Sequence, residues 1–527
     1  MIKELTELVL LVEQSIPRPT ELISSLSNGN PDVIQLYGML HQNSFRTEAE
    51  AIEMAGVGER TKFRKVAREL MRILEIMVLQ IGSNAKSGTC QLQDRLRGYE
   101  LMALVKTLVT LSCKNSAKRY AEELLHIGQT YARPEFVVEA SKALMDYVAI
   151  AGDDPKSFDK YYELYETHSG YRVLEEKAQI YLERIRLPYV RKKAFQKENG
   201  EVASRYLQEL EPHVGHITSH HFHLSYYSLK SYRFVTEARY HEASLVHLEA
   251  IRYFERCGYT CNNTLTIFYY LEIVNCFYLN NYKRGARYYE KAINLSSVGN
   301  INWFGTLELG FYLRMYEADY EGAAAIYATA TKHKKFFVLR DIQQESWTIL
   351  GAYLYIVQQL SGDETLQLQV PKVRSSRFRN DIKDFSQDKM GMNIAVLAAE
   401  VLLEFVEGKD DSLWDRIAAL EKYRERYLRN SDDTHRSQLF IKILVILSRY
   451  NYDGDKFLDK ARPYLEELQK APLQMSNQAH ELEIVPYERL VRLLSEALRR
   501  RNGRAVGFQY AEKMDRVIGV GGAIRNN

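Results

Sequence analysis

Between Ser219 and Lys332 the chain writes one helical phrase three times, and this repetition limits what it can fold into more than any other feature. Each copy turns on a tyrosine: Tyr240 with Ala243 and Ala250, Tyr282 with Gly285 and Ala292, Tyr320 with Ala323 and Ala330. The position seven on from the tyrosine holds His247, Tyr289 or Tyr327. Steps of three, seven and ten keep these residues on one face of an α-helix. The tyrosines are 42 and then 38 residues apart, room for two helices and their turns, so the repeating unit is a helical hairpin. One such hairpin cannot bury its apolar face alone, and stacking on its neighbours makes a solenoid the expected architecture.

At 527 residues the chain is also longer than the roughly 250–300 residues that one hydrophobic core can serve, which again requires an array or several domains. Gly 28 and Pro 11 are low for this length and leave long helices uninterrupted. First helices are expected at Ser219 to Glu237, Thr264 to Leu279 and Trp303 to Ala318, and second helices at His241 to Arg256, Lys283 to Leu295 and Glu321 to Lys332.

The phrase Asn281-Tyr282-Lys283-Arg284-Gly285-Ala286-Arg287-Tyr288-Tyr289-Glu290-Lys291-Ala292 resembles the second helix of a tetratricopeptide repeat. Part of the first-helix signature stands at Trp347-x-x-Leu350-Gly351-x-x-Leu354, with Leu where the family usually has Tyr. The resemblance implies an all-α, right-handed α-solenoid of stacked hairpins whose first helices line a concave, partner-binding groove. Carried back from the three tyrosines, the family's groove positions fall on Tyr232, Tyr270, Phe277, Glu308 and Tyr312; the alternative is that these are core aromatics. The units here exceed the family's 34-residue period, and Glu272 and Gly310 stand where it has Leu, so the hairpins are divergent ones.

In chain order, residues 1–90 read as a small helical N-terminal region, 91–360 as repeats, 361–392 as a basic linker or long loop, 393–501 as further hairpins with a capping helix, and 502–527 as a tail. In the N-terminal region a short helix at Thr47 to Ala55 and a turn at Gly56-Val57-Gly58 precede a longer helix. There Phe63, Val66, Leu70, Ile73 and Met77 form an apolar stripe, with Arg64, Lys65, Arg68 and Arg72 mostly off it. A helix-turn-helix nucleic-acid reader shares that outline, and a structural hairpin with a solvated basic face shares it equally. Farther on, Gly170 is an expected helix stop and Pro188 an expected kink or division. In 361–392 the cations Lys372, Arg374, Arg377 and Arg379 mark a candidate contact for an acidic or phosphate-bearing partner, against the plain reading of a solvated connector.

Lys+Arg 71 against Asp+Glu 68 gives a net charge of +3, so no general field attracts polyanions and any basic patch is local. Five scattered cysteines, Cys90, Cys113, Cys257, Cys261 and Cys276, fit reduced thiols of a cytoplasmic protein better than a disulfide framework. The N-terminal segment reads as an amphipathic helix without signal-peptide character, and no apolar run is long enough to span a bilayer.

Little in the sequence suggests catalysis. His213, His216, His220, His221 and His223 would offer His216 and His220 to a metal if the segment were one helix, but Pro212 and Gly215 favour a loop and no third ligand is spaced to match. Gly519-Val520-Gly521-Gly522 lacks the Lys-Ser/Thr of a phosphate loop. Asp410 with Asp411, and Asp432 with Asp433, are explained by helix capping. The expectation is a protein- or peptide-binding scaffold, neither an enzyme nor a metal or cofactor carrier. The alternative is a nucleic-acid-associated regulator with a repeat sensor domain.

Overall fold

The computed structural model describes residues 1–42, 45, 48–54, 60–79, 81, 90–151, 154–192, 197–258, 261–362, 370–382, 392–428, 435–447, 453–471, 473 and 483–501. Among these the fold is all-helical, without a strand. The turn at 55–59, the pair at 432–433, the segment 83–89 and everything from 502 on, Gly519 to Gly522 included, lie outside the described residues.

The chain divides into two compact units, one of Met1–Pro188, Gln196–Glu237 and Leu245–Leu265, the other of Tyr189–Phe195, Ala238–Ser244 and Thr266–Asn527. The helices are α1 (Ile2–Ser15), α2 (Pro19–Leu26), α3 (Pro31–His41), α4 (Glu48–Met54), α5 (Arg60–Leu79), α6 (Cys90–Thr110), α7 (Lys114–Thr130), α8 (Pro134–Ala151), α9 (Pro155–Lys192), α10 (Lys197–Leu210), α11 (His220–Thr236) and α12 (Tyr240–Glu255). They continue as α13 (Asn262–Tyr278), α14 (Tyr282–Leu295), α15 (Ile301–Glu317), α16 (Tyr320–Thr331), α17 (Asp341–Ser361), α18 (Ser375–Asp381), α19 (Met392–Glu407), α20 (Asp410–Tyr423), α21 (His435–Leu447), α22 (Gly454–Lys470) and α23 (487–501). Neighbours in sequence pack as neighbours in space: α6 on α7, α7 on α8, α14 on α15, α15 on α16, α16 on α17, α19 on α20 and α21 on α22.

The N-terminal region has its own core. The stripe Phe63, Val66, Leu70, Ile73 and Met77 of α5 is buried against Leu5, Val9 and Val12 of α1 and Val33, Leu36 and Leu40 of α3. Arg64, Lys65, Arg68 and Arg72 are exposed on the opposite side. The long helix α9 runs on through both Gly170 and Pro188, contrary to the expected stop and division. Gly170 does not take the left-handed conformation that ends helices, and beyond it α9 is held by an Arg172–Glu176 pair at 2.9 Å and by Tyr181 stacked 3.8 Å from Tyr206 of α10.

One turn recurs along the chain. Ser112, Ala132, Ala238, Asn280, Ala318 and Gly408 have φ between 50° and 69°, and each lies two residues before the next helix begins. At five of them the following amide donates to the carbonyl five residues back: Cys113 to Leu108, Arg133 to Gly128, Asn281 to Cys276, Asp319 to Arg314 and Lys409 to Glu404, at 2.8–3.1 Å. This closure satisfies carbonyls that a helix end leaves without a partner. Asn281 and Asp319 then cap the next helix, accepting from the Arg284 and Gly322 amides at 3.2 and 2.9 Å.

The two departures from the family pattern have packing reasons in the second unit. A Cβ on Gly310 would stand 2.3 Å from the Tyr289 ring, and one on Gly351 2.6 Å from Tyr327. The aromatic of one hairpin thus occupies the space where the next first helix would carry a side chain. Glu272, fully buried, pairs with Arg284 at 2.7 Å and accepts from Ser244 at 2.9 Å. An acid fits that apolar position because the repeat phrase supplies its cation.

Helix α23 closes the second unit. Leu490, Val491, Leu494 and Leu498 are fully buried, and its arginines reach backbone oxygens at the ends of other helices: Arg489 to Met315 of α15 at 2.7 Å, Arg500 to Leu360 of α17, Arg501 to Phe405 of α19. Arg499 pairs with Asp455 at the start of α22 at 2.6 Å. Cations at carbonyl ends are favoured by the dipoles of the helices they meet. Arg436 of α21, almost fully buried, donates to Glu483, to both oxygens of Glu488 and to the Leu468 and Ala471 carbonyls.

Candidate functional site

The expected groove residues do not share one environment. Phe277 and Tyr312 are fully buried, which removes them from any partner surface. The Phe277 ring is held by Tyr282 and Tyr316 at centroid distances of 5.9 and 5.0 Å. Tyr232 and Tyr270 are partly buried, Tyr270 lying beside Gly305 of α15. Glu308 is partly buried, accepts from Ser346 at 2.7 Å, and has its carboxyl pushed up to about 7 by burial.

The basic run is more ordered than a linker. Ser375–Asp381 forms the short helix α18, which packs on α19 with Ser375 and Phe378 buried. Glu407 fixes its start, accepting from the Ser375 amide and hydroxyl at 3.0 and 2.8 Å. Arg379 is taken inward by the buried Glu404 at 3.5 Å. That leaves Lys372, Arg374 and Arg377 exposed, the last in an i,i+4 pair with Asp381 at 3.5 Å.

Of the five clustered histidines only His220, His221 and His223 belong to α11, and His220 and His223 are buried. Ser219 caps the helix, accepting from the Phe222 amide at 3.2 Å and donating to Glu175, whose carboxyl burial raises to about 7. His220 Nε2 lies 2.8 Å from the Thr264 hydroxyl and its Nδ1 3.7 Å from the Cys261 sulfur. His223 Nε2 is 2.8 Å from the Ile217 carbonyl. His247, which stands where the other copies have tyrosine, is 2.7 Å from the Ser231 hydroxyl. Burial, helped by the nearby Arg133, pushes His220 down to about 3 and His221 to about 4, so both stay neutral. His213 and His216 are exposed and precede α11, so the i,i+4 metal spacing of His216 and His220 does not arise. Among the described residues no three candidate ligands gather for a metal.

Beside this interior, Tyr227, Glu249, Arg252, Tyr253, Arg256 and Cys257 line a cleft of about 490 Å³. His223 lies against one side of Tyr253, its ring centroid 4.1 Å away, and the Phe254 ring meets it edge-on at 5.0 Å. Glu249 is engaged by Lys230 at 3.3 Å and by the Tyr227 hydroxyl at 3.5 Å. Arg252 and Arg256 are exposed and make no ion pair among the described residues. Cys257 leads inward to Cys261, whose thiol is held well above its usual range by the Cys257 thiol and by burial. The cleft escaped sequence reasoning: Arg252 and Arg256 look like an ordinary solvated face of a second helix, and only Cys257 was singled out.

No family model, curated protein or solved structure matches the chain. No helix among the described residues is long and apolar enough to cross a membrane.

Proposed function

We propose that the chain is a divergent, tetratricopeptide-like right-handed α-solenoid that acts as a scaffold for a protein or peptide partner. The observation that carries this reading is the recurring turn: left-handed residues from Ser112 to Gly408, five of them closed by the same amide-to-carbonyl bond. The tyrosine-on-glycine contacts at Gly310 and Gly351 add a repeated contact between hairpins. Such an array presents variable first-helix residues on a rigid frame, the arrangement by which repeat proteins bind extended partners. Within the second unit the partner surface would include the partly exposed Tyr270 and Glu308, and the exposed Lys372, Arg374 and Arg377.

The test is affinity purification from the native host with mass spectrometry, comparing the wild type with Tyr270→Ala and with Lys372→Glu/Arg374→Glu/Arg377→Glu. Both variants should remain folded and lose a co-purifying protein; unchanged company in both overturns the surface. A second reading, nucleic-acid contact, is favoured by the exposed Arg64, Lys65, Arg68 and Arg72 on α5. It requires salt-dependent binding that weakens on charge reversal, and no binding at low salt excludes it.

A further inference from the structure

We propose that the cleft between α11 and α12 is a binding site for a small aromatic phosphate monoester, about the size of a nucleoside monophosphate. This goes beyond the scaffold reading and does not depend on it. The cleft's volume of about 490 Å³ lies within the roughly 300–1,000 Å³ usual for small-molecule sites. Its charge is unbalanced: Arg252 and Arg256, one helical turn apart, make no ion pair among the described residues, and the cleft's own carboxylate, Glu249, is engaged by Lys230 and Tyr227.

Two guanidinium groups lining one cleft without an ion pair among the described residues favour a ligand with two negative charges. A phosphate monoester carries about −1.5 to −2 at neutral pH, whereas a carboxylate carries one, and guanidinium groups bind phosphate oxygens in bidentate fashion. The apolar half of the ligand is set by Tyr253. His223 takes one side of that ring, so what Tyr253 gives to the cleft is the remaining surface, suited to stacking a planar ring. Burial raises the phenol of Tyr253, which keeps it protonated as a hydrogen-bond donor.

Cys257 supplies the readout. The full chain is alkylated with N-ethylmaleimide and labelling rates are followed by peptide mass mapping, with the exposed Cys113 as internal control. The probes are adenosine 5′-monophosphate and O-phosphotyrosine, with adenosine and inorganic phosphate as separate arms. An aromatic phosphate should slow labelling of Cys257 and leave Cys113 unchanged. Replacing both exposed arginines, Arg252→Ala/Arg256→Ala, should raise the half-protecting concentration by about tenfold or more, the worth of a charge-assisted hydrogen bond, with an unchanged circular dichroism spectrum. The proposal is overturned if neither aromatic phosphate protects at millimolar concentration, if adenosine or inorganic phosphate protects as well as the combined molecule, or if protection survives the double substitution.

Discussion

Two buried arginines, Arg436 in the second unit and Arg133 in the first, are treated in opposite ways by their surroundings. Arg436 is surrounded by acceptors, two carboxylates and two carbonyls, and has its guanidinium raised by Glu483 and Glu488 against the effect of burial. Arg133 is only 3% exposed, yet its Nη1 has no hydrogen-bond partner among the described residues, and its neighbours include histidines held neutral as well as the Glu175 carboxyl. A saturated network of this kind fixes one arrangement of helices, because removing any member leaves the others buried and uncompensated. An unsaturated one fixes little and keeps its field for something else. The difference assigns structural work to the α21–α23 corner and leaves capacity for recognition around α11 and α12.

The contrast is most sharply tested by deleting each charge. Arg436→Met should lower stability by about 3–5 kcal/mol, as expected when one side of a buried ion pair is removed, whereas Arg133→Met should cost less, because the Arg133 Nη1 gives up no hydrogen bond among the described residues. Urea unfolding of the two variants measures both, and equal losses would break the distinction.

Acidification should separate the regions next. His220 and His221 are neutral in the folded protein down to about pH 3 and 4, whereas in the unfolded chain they protonate near pH 6.5. Below pH 6.5 the unfolded state therefore binds more protons, and the stability these groups contribute, complete above pH 6.5, is lost progressively as pH falls toward their folded values. The slope is about 1.4 kcal/mol per proton and pH unit. Replacing both by Asn should flatten urea midpoints between pH 4.5 and 6.5, and an unchanged profile would refute the assignment.

The smallest effects come from glycines. Gly310→Ala should cost about 1–3 kcal/mol by overpacking against Tyr289. Gly170→Ala, where an added Cβ meets nothing within 4 Å, should gain about 0.5–1 kcal/mol. Thermal melts that move in the same direction for both would show that the ring at Gly310 yields easily.

Much of the architecture was legible in local spacing, because the tyrosine, the small residue and the alanine of each copy mark one helix face, whatever covers it. The N-terminal stripe of α5 was legible for the same reason, since a helical period needs no partner to be recognised. The departures at Glu272 and Gly310 could be noticed but not explained: one needs Arg284 and Ser244, the other the ring of Tyr289 in a neighbouring helix. Phe277 and Tyr312 could not be sorted between groove and core by spacing alone, and both are buried. The histidines could not be interpreted without Thr264 and Cys261, more than forty residues away. α18 was missed because only seven residues form it, and docking on α19 holds it where its own periodicity could not.

Helix α23 also changes how the second unit must be made. In a simple array each hairpin touches only its neighbours, so it can grow or fray one hairpin at a time. Here Arg489 binds a carbonyl 174 residues earlier in the chain, and Arg500 and Arg501 reach back 140 and 96 residues. Until residue 501 has been synthesised, the ends of α15, α17 and α19 lack those ties, so the hairpins leave the ribosome before the helix that locks them. Completion is then a single late event, and loss of that helix would release distant hairpins together rather than the nearest one first.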